Sequence, residues 1–386
     1  MTTIEPPRDF CIPEPGSTTF AGCYRSALRR LILEILNLGP AAASAADRRA
    51  ELGRLAALLR RVKSDAPGAL ASLAASPNVG VFVRCLRTAP PGPRRDALAG
   101  ELAATLAFEL ACAGLLREPF VSSAPPREIV AVGARRCATV EEGARRIEVL
   151  PGGEIRGADV TTHAFTPLAG GIALSTADAN PLRMLEAHPD KQGNAVDLGG
   201  KTAAEWAQAL ASALVLIDAH LPAFRAEIDL VLKQFVPVGW SAETHLSASY
   251  QEALGTVYLS LHPSRLTMAE AIVHEVSHNK LNALLEIDPV IENDASERHA
   301  SPVRPDPRPI HGVLLAVHAF LPVARLYERM ATTATGAERS ELERHLERVR
   351  AVNAEGAAVL LAHGRPTAVG RGLFDEIERE VTRYAS

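Results

Sequence analysis

Met268-Ala-Glu-Ala-Ile-Val-His-Glu-Val-Ser-His-Asn-Lys-Leu-Asn-Ala-Leu-Leu285 sets two imidazoles and a carboxylate within five residues of an otherwise apolar stretch. Ala271, Ile272, Val273, Leu281, Leu284 and Leu285 recur on several sides, which predicts a buried helix. Residues four apart share a helix face, so His274 and His278 can grip one metal ion while Glu275 projects beside them. Unpaired imidazoles and a carboxylate are costly to bury unless a metal or hydrogen bonds meet them, and the pattern reads first as a metal site.

Two helical histidines need at least one further protein ligand, and a catalytic site also leaves positions open. A metzincin-type extension requires glycine at 281 and histidine at 284; the chain has Leu281 and Leu284, which excludes that family. Glu292 and Asp294 lie in Glu292-Asn-Asp-Ala-Ser-Glu-Arg298, a polar, loop-like run after Pro289, and are weak candidates. Pro309-Ile-His-Gly-Val-Leu-Leu-Ala-Val-His-Ala-Phe-Leu-Pro322 reads as an apolar helix carrying His311 and His318 on one face, with Pro322 expected to bend it. The alternative for His318 is a core histidine bonded to a backbone carbonyl. Between the two helices, Ser301-Pro-Val-Arg-Pro-Asp-Pro-Arg-Pro309 reads as an ordered loop, too proline-rich for a helix or a central strand. Its Arg304 and Arg308 could clamp a carboxylate with paired hydrogen bonds, or pair with Asp306 or water.

These segments together resemble the HExxH-type peptide-modifying domain of ribosomal natural-product biosynthesis, regarded as iron(II)- and 2-oxoglutarate-dependent peptide β-hydroxylases. The matching residues are His274-Glu-Val-Ser-His278-Asn-Lys-Leu281, the proline-arginine segment 301–309, Gly312-Val-Leu-Leu-Ala-Val-His-Ala-Phe320, and upstream His245-Leu-Ser-Ala-Ser249 with Gly255-Thr-Val-Tyr-Leu-Ser260. The resemblance extends over about residues 165 to 330, in the same order. The resemblance implies Fe(II) and 2-oxoglutarate as cofactors, a ribosomal precursor peptide as substrate, and His318 as third ligand, with His311 in reserve. Arg304 or Arg308 would hold the far carboxylate of 2-oxoglutarate, and Glu275, the candidate catalytic residue, would support a ligand from behind or line the pocket. Two other readings stand beside it: a zinc metallopeptidase with Glu275 as general base, and a non-catalytic peptide-binding module.

The 386 residues are 47% hydrophobic and 22% charged, with a net charge of -4, the profile of a globular chain of two or three domains. No basic block speaks for nucleic acid. With neither a signal peptide nor an apolar run of about 18 residues, the expectation is a cytoplasmic protein without a membrane partner. Five scattered cysteines predict reduced thiols.

The fold is expected to be α+β and predominantly helical, with a small β region and the metal site between the HExxH helix and a later buried helix. The linear division is an N-terminal arm (1–20), a helical region (21–120), an HExxH catalytic domain with short strands (121–336) and C-terminal helices (337–386). Short strands are expected at 127–133, 145–153, 171–175 and 255–261, and helices at 203–216 and 221–235.

Overall fold

The computed structural model describes residues 7–157, 159–185, 187–188, 191–301 and 304–385; of residues 187, 188, 191, 304, 305 and 385 the backbone alone is described. Helix takes 56% of the chain and strand 15%, in small sheets, so the α+β, mostly helical class holds. Two compact units form, one from residues 1–27, 209–231 and 262–386, the other from 28–208 and 232–261. They do not follow the linear division at 20, 120 and 336, because elements far apart in sequence pack together.

In the unit built from residues 28–208 and 232–261, the expected helical region appears as Ala46–Asp65, Pro67–Ala75, Pro77–Thr88 and Pro93–Cys112. Three of these open with proline, whose missing N–H is no loss in a first helical turn. Strands Glu128–Ala131, Arg146–Val149, Ala173–Leu174 and Thr256–Leu261 lie where short β-branched runs predicted them. The span expected to be helical over 221–235 is helix only over Pro222–Val231; Gln234–Trp240 is a strand, parallel to both Thr256–Leu261 and Ala173–Leu174. Short apolar stretches such as Leu230-Val-Leu232 and Phe235-Val-Pro-Val238 fit either state, and here the sheet decides. Strand Thr256–Leu261 is buried at all six positions, as parallel sheets require. Its Tyr258 hydroxyl donates to Asp178 at 2.7 Å and accepts from Asn180 Nδ2 at 3.0 Å, so this buried hydroxyl is satisfied.

In the other unit the HExxH segment is one helix, Arg265–Leu285, whose N-terminus is capped by the Ser264 side chain accepting from the Thr267 N–H. It packs against helix Ile310–Thr333. That helix runs through Pro322 and, among the described residues, is the single helix long and apolar enough to cross a membrane by length and composition. The sequence reading did not expect such a run; with 67% of its apolar window buried, the helix serves as a core element here.

Two expectations change in this unit. The proline-rich segment read as a loop includes a strand, Arg304–Pro309, paired antiparallel with Arg298–Ser301. A two-stranded ribbon leaves one edge of each strand unpaired, where prolines at alternate positions cost no ladder bond. Pro302 and Val303 lie outside the described residues. The N-terminal arm, described from residue 7, is not a loose arm: Phe10 and Cys11 are fully buried.

Lys280, on the HExxH helix, is also fully buried. Its Nζ lies 2.5 Å from Glu227 Oε2, and over the rings of Phe224, Phe10 and Phe20 at 4.7, 5.4 and 5.5 Å. The Glu227 carboxylate and the aromatic faces replace the water that the ammonium gives up. Glu227→Gln strands a buried ammonium and is expected to cost about 3–5 kcal/mol in urea unfolding, whereas after Lys280→Met the Glu227 carboxyl, whose pKa burial already raises, can take up a proton, so that change costs less. Equal losses would show that the pair is not the electrostatic unit described.

Candidate metal centre

One turn of helix brings His274 and His278 together as the spacing predicts. Their Nε2 atoms are 3.0 Å apart and their rings meet edge-on, with centroids 4.6 Å apart. Two neutral imidazoles can share one proton between such nitrogens, or both lone pairs can face one cation. Both residues are half-buried, on a helix that is otherwise largely buried. The Phe320 ring stands edge-on to His274 at 4.8 Å and walls one side.

Burial lowers the His274 pKa to about 4, with the neighbouring His278 adding to the effect and the Glu275 carboxylate opposing it. Burial alone takes His278 to about 4. Both rings are therefore neutral at ordinary pH, which is the ligating form. Nδ1 of His278 is buried without a hydrogen-bond partner among the described residues. Donor type, convergence and protonation state all fit a metal ion.

Glu275 is buried next to the pair. Its backbone carbonyl accepts a hydrogen bond from Asn279 Nδ2 at 3.0 Å. The ligand role expected of His318 does not match its place. This residue is fully buried, its Nε2 lies 3.0 Å from the Ser277 carbonyl oxygen, and its Nδ1 lies 3.2 Å from Cys11 Sγ. Both ring nitrogens are engaged, so His318 is the carbonyl-bonded core histidine that the sequence offered as the alternative. His311 is half-buried, with its pKa lowered by burial. Glu292 and Asp294 are exposed, and the Asp294 carboxylate accepts from the Ser296 N–H and hydroxyl. Among the described residues, no three metal-ligating side chains gather at one point.

Arg308 pairs with Asp306, Nε to Oδ2 at 2.9 Å, on a partly exposed ribbon. The side chain of Arg304 lies outside the described residues. Cys11, Glu376 and Phe320 were not singled out as functional by sequence. Phe320 sits inside the quoted His-Ala-Phe element and was readable there, but Cys11 and Glu376 carry no local signal.

Compared with known proteins, the sequence matches no family model and no curated protein.

Histidine in an unfolded chain takes up protons near pH 6.5, whereas the His274 and His278 rings resist until about pH 4. As pH falls from 6.5 towards 4 the unfolded state binds more protons, so the metal-free protein loses stability across that window. Replacing both histidines with alanine is expected to flatten the fall of melting temperature between pH 6.5 and 4. An unchanged slope would show that the rings are not held neutral.

Proposed function

We propose that the chain is an iron(II)- and 2-oxoglutarate-dependent hydroxylase that modifies a side chain of a ribosomally made peptide. The observation that supports a metal enzyme is the convergence of the His274 and His278 Nε2 atoms at 3.0 Å on a half-buried, neutral face. The choice of iron, keto acid and peptide rests on the resemblance carried by the HExxH helix, the proline-arginine segment and the His-Ala-Phe element. An iron(II) ion at this pair would supply dioxygen activation coupled to decarboxylation of the keto acid.

The chain's own residues have definite tasks in this reading. His274 and His278 bind through Nε2, and the apolar edge of Phe320 keeps water from one side of the pair. Glu275 acts on the His274 ring through its charge. Arg308 can receive the distal carboxylate of 2-oxoglutarate only in competition with Asp306, which already occupies its guanidinium; Arg304 is the second candidate. The zinc-peptidase reading draws on the proximity of the Glu275 carboxylate to the pair, since a peptidase base must sit beside the metal.

Without oxygen, iron(II) and 2-oxoglutarate together are expected to give the protein a weak visible absorption band that neither gives alone. Glu275→Gln should retain metal and lose only part of the hydroxylase activity. Peptide cleavage that ignores 2-oxoglutarate and disappears in Glu275→Gln would replace this reading with the peptidase.

A further inference from the structure

We propose that His318 is a positioning residue for the metal-binding turn, holding the Ser277 carbonyl, and with it the arc from His274 to His278, against helix Ile310–Thr333. The inference rests on reading His274 and His278 as a metal pair.

A carbonyl oxygen only accepts, so the 3.0 Å contact places the ring hydrogen of His318 on Nε2. Burial keeps the ring neutral, with the Lys280 charge acting in the same direction. Nδ1 is then an acceptor, and the Cys11 thiol, 3.2 Å away, faces it as a donor that the Glu376 side chain also engages. Burial raises the pKa of that thiol well above its ordinary value, so it retains the hydrogen the contact needs. Cys11 is itself held: the N–H groups of Phe10, Cys11 and Ile12 converge on the Glu376 carboxylate at 2.8, 3.0 and 3.1 Å. The Phe10 ring packs on the His318 ring at 5.5 Å.

A chain of hydrogen bonds thus runs from the C-terminal helix Ala368–Thr382, through the N-terminal segment, to the backbone between the two histidines. Glu376, Cys11, His318 and Ser277 are each essentially withdrawn from water, so no solvent can stand in for a lost partner. Ser277 immediately precedes His278. A shift of its carbonyl changes the aim of that imidazole, on which metal affinity depends steeply.

The test uses the full chain and zinc alone, with affinity measured by chelator competition and stability by thermal unfolding of the metal-free protein. His318→Leu keeps the apolar volume and removes the donor; His318→Gln offers an amide N–H in its place. The Leu variant is expected to bind zinc about tenfold to a hundredfold more weakly, the usual range for loss of a supporting partner, and the Gln variant to recover most of that loss. If the Leu variant does not fold, Cys11→Ala should weaken zinc binding and Cys11→Ser, which keeps a donor, should restore it.

A Leu variant that melts earlier yet binds zinc as wild type does would reduce His318 to packing and overturn the proposal. So would a Gln variant as weak as the Leu variant, which would point to direct ligation. Failure of the wild type to bind zinc, or retention of zinc by His274→Ala, would instead sink the metal pair itself, and this inference with it.

Discussion

An apolar helix that carries Ser277, Asn279 and Lys280 into a protein interior is stable only if each of their polar atoms finds a partner. That constraint governs the unit around helix Arg265–Leu285. Ser277 bonds back to the Val273 carbonyl at 2.7 Å, and Asn279 to the Glu275 carbonyl at 3.0 Å, which disposes of two locally. Lys280 cannot be met within its own helix. It recruits Glu227 from helix Pro222–Val231 and aromatic rings from three separate segments. The ammonium therefore fixes which elements surround the helix, and removing its counter-charge is a harsher change than removing the charge.

With those demands met, His274 and His278 remain on the half-buried face with Nε2 directed at Nε2. Their environment withdraws water enough to keep them unprotonated but supplies no hydrogen bond to Nδ1 of His278 among the described residues. A lone structural histidine resolves such a conflict as His318 does, by engaging both nitrogens. The contrast, between histidines on two packed helices, separates a fully buried ring with both nitrogens engaged from two half-buried rings whose Nε2 atoms face each other.

The pair was legible because i and i+4 fix a shared face whatever the surroundings. Strand Thr256–Leu261 was legible for a similarly local reason, a short run rich in β-branched and aromatic residues after Gly255. The role of His318 was not. A ligand and a core histidine present the same letter in the same apolar helix, and the partners that distinguish them are a backbone carbonyl and a cysteine 307 positions away. The strand Arg304–Pro309 escaped because its proline pattern forbids a central strand but not one in a two-stranded ribbon. Gln234–Trp240 escaped because its apolar residues follow the helix after only Lys233 and Gln234, and its parallel neighbours make it a strand.

The proposed chemistry requires that His274 and His278 hold a metal through their Nε2 atoms. X-ray absorption of the cobalt(II)-loaded protein addresses it directly, because outer-shell scattering counts imidazole ligands. The account predicts imidazole nitrogens at about 2.0–2.2 Å whose signal falls by one ring in His274→Ala and in His278→Ala and is unchanged in His311→Ala. Loaded cobalt showing no imidazole scattering, or the same scattering after both substitutions together, would contradict it.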